Sequence, residues 1–80
     1  MKRTDLKQIV AQELEVEPEI LNSDLELSKI ENYDSVSVLS LMLALDEKAG
    51  IKMTPADTRV LRIYGDIERL AENQGITLTD

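Results

Sequence analysis

Apolar positions in the first fifteen residues repeat with the period of an α-helix. Intervals of three and four residues place these side chains on one helix face: Leu6, Ile9, Val10 and Leu14. Thr4 stands where a capping residue is expected, because its hydroxyl can accept a hydrogen bond from the first turn. The pattern therefore predicts a first helix over residues 4–15.

The regular pattern ends between residues 16 and 34. Pro18 suits the first turn of a short helix, where a missing N–H costs nothing, so we expect one helical turn there. From residue 22 to residue 34 only four apolar or aromatic anchors interrupt a polar and acidic sequence: Leu25, Leu27, Ile30 and Tyr33. The segment predicts a long loop, and loops of this length are usually either functional or disordered.

The most apolar segment of the chain begins at Ser35 and ends at Ala49. It contains no Gly or Pro, is rich in helix formers and is followed by Gly50, a typical C-terminal stop. Its apolar side chains form a broad face and then spread around the circumference: Val36, Leu39, Met42 and Leu43, with Val38, Leu41 and Leu45. We expect a helix over 35–49 that is buried or used in contacts.

Two shorter helices are predicted in the last third of the chain. Thr54 followed by Pro55 is a capping residue before the favoured first helical position, which predicts a short helix over 55–61. A final helix is expected over 65–74, with Gly75 as its stop and Ile67, Leu70 and Ala71 directed inward. Residues 76–80 are expected to form a tail.

These elements predict an all-α fold. Nothing in the sequence alternates with the period of a strand, and no segment repeats. We therefore expect one domain over residues 1–80, a four-helix bundle with a short third helix and a long loop between helices one and two.

The composition excludes several classes of function. The 80 residues include neither Cys nor His, which removes disulfides, thiolate metal sites and the common catalytic dyads and triads. We therefore predict no metal site and no enzyme activity. No apolar run resembles a signal sequence or a membrane span, so a cytoplasmic protein is expected.

Charge is concentrated in the long loop. The net charge is −7, and residues 13–34 alone carry eight acids against Lys29. This balance repels phosphate backbones and anionic membranes, so neither nucleic acid nor a membrane is an expected partner.

Four short blocks resemble the acyl carrier protein family, over about residues 4–74. They stand in the family's order and at its distances: Asp34-Ser35-Val36, Ala44-Leu45-Asp46-Glu47, Gly50-Ile51-Lys52-Met53 and Tyr64-Gly65-Asp66-Ile67. An Asp-Ser pair alone usually caps a helix, but here it opens the main apolar helix of a small acidic chain.

The resemblance implies that Ser35 carries 4′-phosphopantetheine, added from coenzyme A by a phosphopantetheinyl transferase. Asp34 and Val36 flank the attachment site, and Asp34 would help to present the serine. The thiol of the arm would hold acyl intermediates as thioesters for acyl-loading and acyl-processing enzymes. A helix start also offers free N–H donors to an anionic phosphodiester. Nothing requires more than a monomer.

The resemblance also implies a slot that shelters an acyl chain between helices. The side chains that would line it are Leu39, Met42, Leu43, Met53, Leu61 and Ile67. Helical spacing equally marks such residues as ordinary core, together with Val36, Ile51 and Leu70, and core packing is the first expectation for all of them.

The second helix departs from the acidic pattern of carriers in fatty acid synthesis. Ser37 and Ser40 stand at positions that are usually acidic, and Lys48 follows the Asp46-Glu47 pair. We expect partners to contact Ser37, Asp46 and Glu47, with apolar contacts from Val38 and Leu41 replacing part of the missing charge. This pattern predicts a specialised carrier in a dedicated fatty acid, lipid or polyketide pathway.

Two further departures concern packing. Tyr33 stands where the family commonly has a small residue, so its ring either packs beneath the loop or restricts the arm. Ala49 replaces the usual Phe, which predicts a looser or differently filled core at the end of helix two.

Two alternatives remain open at this stage. The cargo could be an aminoacyl or aryl group instead of a fatty acyl chain, because the fold and arm are the same. The chain could also be a helical adaptor with the carrier fold that is never modified.

Overall fold

The computed structural model describes every residue from Met1 to Asp80 and contains four α-helices but no strand. The helices are α1 (Arg3–Leu14), α2 (Ser35–Ala49), α3 (Pro55–Val60) and α4 (Tyr64–Asn73). Single 3-10 turns lie at Pro18–Ile20 and Leu27–Lys29. The predicted all-α fold, the short third helix and the long first loop are confirmed. None of the helices has the length and apolar character that crossing a bilayer requires.

The ends of α2 follow from local chemistry. The Asp34 carboxylate accepts a hydrogen bond from the N–H of Ser37 at 2.9 Å and so caps the first turn. Gly50 adopts the left-handed conformation, with φ of 69°, and its N–H donates to the carbonyl of Asp46 at 3.1 Å. Both boundaries agree with the prediction.

The start of α1 differs from the prediction. The helix begins at Arg3, and no side chain caps it, so the predicted capping role of Thr4 is wrong. The C-terminal residues supply backbone partners instead, because the N–H of Arg3 donates to the carbonyl of Thr79 at 2.8 Å. Leu78 is buried in the core, so residues 76–80 pack against the helices and are not a free tail.

One face of α2 packs into the core, and it is not the face expected. Leu41 and Leu45 are fully buried, and Ser37 and Ala44 lie beside them. Val36, Leu39 and Leu43 are 75%, 56% and 59% exposed, so their assignment to the core is wrong. Apolar side chains occur at intervals of three or four residues on both faces of α2, and periodicity alone does not distinguish them.

The loop before α2 lies against the start of α4. Backbone N–H groups of Tyr64 and Gly65 donate to the carbonyls of Leu25 and Ser23 at 2.9 and 2.8 Å, and the N–H of Leu27 donates to the carbonyl of Arg62 at 2.9 Å. Leu27 and Ile30 are buried, as anchors should be, while Leu25 and Tyr33 are partly buried. These contacts hold the middle of the loop against the start of α4.

Candidate functional site

Ser35 is the first residue of α2, and its side chain is exposed. The hydroxyl makes no hydrogen bond to the protein, whereas Asp34 in front of it is engaged in capping the helix. Because Asp34 caps the helix, the Ser35 hydroxyl is not needed as a cap. It is exposed, so another protein can reach it.

The backbone at this helix start suits an anion. The N–H groups of Ser35 and Val36 have no acceptor in the structure, as expected for the first turn of an α-helix. A phosphate attached to Ser35 would meet these donors and the positive end of the α2 dipole. The residues present therefore fit a phosphodiester at this position.

An open groove of about 530 Å³ begins at Ser35 and runs between α2 and α3. It is lined by Tyr33, Asp34, Ser35, Val38, Leu39, Met42, Pro55 and Thr58. Apolar side chains dominate its walls, and Asp34 is the only charged residue that lines it. A flexible group leaving Ser35 would thus find an apolar surface directly beside its point of attachment.

Tyr33 forms one wall of this groove. Its ring packs against the hydrophobic core and is half-buried, which agrees with the expectation that it packs beneath the loop. Burial raises the pKa of the Tyr33 hydroxyl, so the side chain stays neutral at physiological pH. The ring adds an apolar surface that a small residue would not provide.

The six residues expected to form an acyl slot are not brought together. Leu39 and Met42 line the groove beside Ser35, but Leu43 lies on another side of α2 near Glu13 and Ser40. Met53 and Ile67 are packed within the core. Leu61 lines a separate groove between α3 and α4. The slot as predicted is therefore absent from this structure, because these residues belong to four different environments.

The residues expected to contact partners do not form one exposed surface. Ser37 and Leu41 are 9% and 1% exposed, so they do not reach the surface as predicted. Val38 is half-buried in the groove wall. Asp46 and Glu47 are exposed, but the Asp46 carboxylate forms an ion pair with Lys52.

An exposed apolar stripe on α2 was missed as a surface by the sequence-based prediction. Val36, Leu39 and Leu43 follow one another at intervals of three and four residues and therefore share one face. Their mutual spacing was visible in the sequence, but the choice between core and surface was not.

Pro55 and Thr58 were not expected at the site. They lie three residues apart on α3 and face the groove, so the start of α3 contributes directly to its wall. The Thr54-Pro55 signal predicted where this helix begins but not which side of it faces α2.

The chain matches known proteins over most of its length. Residues 4–73 match the family model described as a phosphopantetheine attachment site. An acyl carrier protein of Wolinella succinogenes is 29% identical over 85% of this chain and 90% of the relative. One from Chlamydia trachomatis is 32% identical over 79% of this chain and 82% of the relative. One from a Sulfurovum species is 29% identical over 86% and 92% of the two chains.

Proposed function

The chain belongs to the acyl carrier protein family, and from that premise we propose that Ser35 is the residue to which its 4′-phosphopantetheine is attached. Proteins of this family carry covalently attached 4′-phosphopantetheine and are not enzymes. The proposal depends on one observation: the hydroxyl of Ser35, the first residue of α2, is exposed and makes no hydrogen bond to the protein.

The residues around Ser35 support this assignment through complementary roles. Asp34 holds the start of α2 at Ser35, and the free N–H groups of Ser35 and Val36 favour a negative charge there. Attachment would form an Oγ–phosphorus bond at Ser35 and release adenosine bisphosphate from coenzyme A, with the hydroxyl proton passing to the transferase or to water. When bound, the group supplies a thiol that can hold an acyl cargo, in a chain with no cysteine of its own.

Membership of the family implies interactions with a phosphopantetheinyl transferase and with acyl-processing enzymes. On this chain an exposed apolar stripe of Val36, Leu39 and Leu43 begins at the residue after Ser35. An ion pair with Lys52 offsets the charge of Asp46, which leaves Glu47 as the free acid at the end of α2. Docking on this face would thus depend on apolar contact more than on long-range charge attraction.

A direct test of the attachment site is intact-mass measurement after incubation with a promiscuous transferase and coenzyme A. We expect the wild-type protein to gain one phosphopantetheinyl group and Ser35→Ala to gain none. Ser28→Ala is the matched control, because Ser28 is also exposed but lies in the loop before α2. No mass gain in the wild type would instead indicate an unmodified adaptor, and a gain in Ser35→Ala would move the site elsewhere.

We further propose that the carrier serves a dedicated pathway and not general fatty acid synthesis. The basis is the weak acidity of its exposed α2 face. Housekeeping fatty acid synthase enzymes should extend cargo on this carrier more slowly than on their own carrier, and Ser40→Glu should recover part of the difference. Turnover equal to that of the housekeeping carrier would contradict the proposal.

A further inference from the structure

Two of the four arginines of this chain have no acidic partner. Arg3 and Arg69 form ion pairs with carboxylates of the same chain. Arg59, in the last turn of α3, and Arg62, in the connection to α4, are exposed, and neither side chain forms an ion pair or a hydrogen bond. In a chain with sixteen acidic residues, two unpaired arginines three positions apart create a local positive surface.

An exposed apolar residue stands between these arginines. Val60 is 69% exposed, and it lines a groove of about 320 Å³ between α3 and α4 together with Leu61 and Leu70. This groove does not include Ser35 and is separate from the one beside it. Arginine is enriched in protein interfaces, whereas lysine and the acids are depleted there. An apolar side chain next to unpaired arginines therefore has the composition of a contact surface.

The acids close to this surface are already engaged. The Asp57 carboxylate accepts hydrogen bonds from the N–H and the hydroxyl of Thr54, at 2.9 and 3.0 Å. The Asp66 carboxylate accepts from two backbone N–H groups of the connection between α3 and α4. Glu26, which bridges to this connection from the long loop, forms an ion pair with Lys29 at 3.6 Å. None of these carboxylates pairs with the side chain of either unpaired arginine.

The backbone that carries the arginines is held on both sides. The N–H of Arg62 donates to the Asp66 carboxylate at 2.9 Å, and the carbonyl of Arg62 accepts from the N–H of Leu27 at 2.9 Å. Binding there would need ordering of side chains but not of the chain itself, which lowers its entropic cost. The segment is thus arranged in advance for a partner.

We propose that Arg59, Val60 and Arg62, the basic patch, form a docking surface for a protein partner that presents carboxylates around an apolar side chain. The apolar side chain packs into the groove against Val60, and the guanidinium groups bind the carboxylates through paired hydrogen bonds. A nucleic acid or an anionic membrane fits less well, because its extended charge would also meet the acidic loop of a chain with net charge −7. A small acidic surface avoids this, since charges beyond about 8 Å are largely screened at physiological ionic strength.

The proposal is tested with a synthetic peptide that carries one leucine between glutamates on either side. The peptide is titrated into the unmodified, isotope-labelled protein, and amide shifts are followed by NMR. We expect saturable shifts concentrated at Arg59, Val60, Arg62 and Leu70. The affinity should fall as the salt concentration rises from about 50 to about 300 mM. Peptides with glutamine for glutamate, or with alanine for leucine, should each bind severalfold more weakly.

Variants assign the binding to the patch. The double variant Arg59→Gln with Arg62→Gln should bind the peptide severalfold more weakly than wild type. Val60→Ser should weaken binding of the leucine peptide but not of the alanine peptide. Lys48→Gln is the matched control, because Lys48 is also exposed and unpaired but lies at the end of α2, and it should bind as wild type does. Urea denaturation checks that every variant is folded.

Several results would overturn the proposal. These are the absence of any shift at saturating peptide, equal shifts at Lys2, Lys7 and Lys48, and equal shifts with inorganic phosphate. Shifts that arise without peptide as the protein concentration increases, matched by shifts around the exposed Ile20 of the acidic loop, would assign the patch to a second copy of this chain. Failure of attachment at Ser35 would leave the inference intact, because the titration uses the unmodified protein.

Discussion

The side chain of Gln74 and the backbone of Lys52 exchange two hydrogen bonds. The N–H of Lys52 donates to Gln74 Oε1 at 2.8 Å, and Gln74 Nε2 donates to the carbonyl of Lys52. The pair joins the residue that follows α4 to the connection between α2 and α3. It thereby fixes the segment that leads into the α3 wall of the groove.

Loss of this pair should destabilise the protein. Gln74→Ala is expected to lower the free energy of unfolding by about 1–2 kcal/mol, because two hydrogen bonds are lost together. Gln74→Glu should be no more stable than Gln74→Ala, since a carboxylate oxygen would face the Lys52 carbonyl oxygen and could not donate to it. Urea denaturation measures both. Asn73→Ala, an exposed neighbour without a side-chain hydrogen bond, should change stability by no more than about 0.5 kcal/mol.

Gly65 is required by a close backbone approach. A Cβ at this position would lie 2.8 Å from the carbonyl oxygen of Ser23, which is backbone and does not move aside easily. Gly65→Ala should therefore lower stability, by about 1–3 kcal/mol as measured by urea denaturation. Without the contact, the same substitution within a helix would stabilise by about 1 kcal/mol. A stabilised variant would thus contradict the observed packing of the loop on α4.

Asp34 combines a structural role with a proposed functional one, and two variants separate them. Asn is as good a helix cap as Asp, so Asp34→Asn should keep stability near the wild-type value. Asp34→Ala should lose about 1 kcal/mol, because the hydrogen bond from the Ser37 N–H disappears. If the charge helps the transferase, both variants should load more slowly. Equal loading rates for Asp34→Asn and the wild type would show that the charge of Asp34 does not help the transferase and that its role is helix capping alone.

Asp66 should make stability depend on pH in the acid range. The N–H groups of Arg62 and Ile63 donate to its carboxylate at 2.9 and 3.1 Å and, with the Arg69 guanidinium, hold the pKa of Asp66 below its usual value. A lowered folded-state pKa stabilises the fold fully above the unfolded pKa of about 4, and this contribution is lost as the pH falls further. Asp66→Asn should therefore be less stable than wild type at pH 7, and the difference should shrink steadily below about pH 4. Thermal melts across this range measure it, and a constant difference would contradict the assignment.

Glu15 is the one residue other than glycine with a positive φ, 57°. It ends α1 in the left-handed conformation, where a side chain costs about 1 kcal/mol relative to glycine. Relief of this strain in Glu15→Gly should therefore raise the melting temperature. Part of the gain is offset, because the substitution also removes the hydrogen bond that Asn32 donates to the Glu15 carboxylate. Asn32→Ala isolates that hydrogen bond. A lower melting temperature for Glu15→Gly than for Asn32→Ala would show that the left-handed backbone of Glu15 is not strained.

The sequence predicted those elements whose signals are local. Asp34 and Gly50 mark the two ends of α2, and Thr54 with Pro55 marks the start of α3, because caps and stops act within a few residues. In each case the neighbouring residues alone determine the feature. The role of Ser35 came instead from the resemblance to the carrier family, and it stays a prediction.

What the sequence did not predict depends on contacts between distant segments. Arg3 finds its partner at Thr79, which is why Thr4 does not cap α1. The core face of α2 was decided by what packs on it, so Leu41 is inside and Leu39 outside. Tyr64 is fully buried, and its hydroxyl has no hydrogen-bond partner, which no local pattern indicates. Burial and the neighbouring Glu68 carboxylate raise the pKa of Tyr64, so it remains neutral in the folded protein.

The pairing of the two ends of the chain has a practical consequence. The Met1 ammonium donates to the carbonyl of Thr77 at 3.0 Å, and the N–H of Thr79 donates to the carbonyl of Met1 at 2.9 Å. Anything fused before Met1 or after Asp80 therefore emerges from the same corner of the molecule. A donor dye on one end and an acceptor on the other would begin close together and separate when the chain unfolds, which makes the pair a sensor of folding that leaves Ser35 untouched.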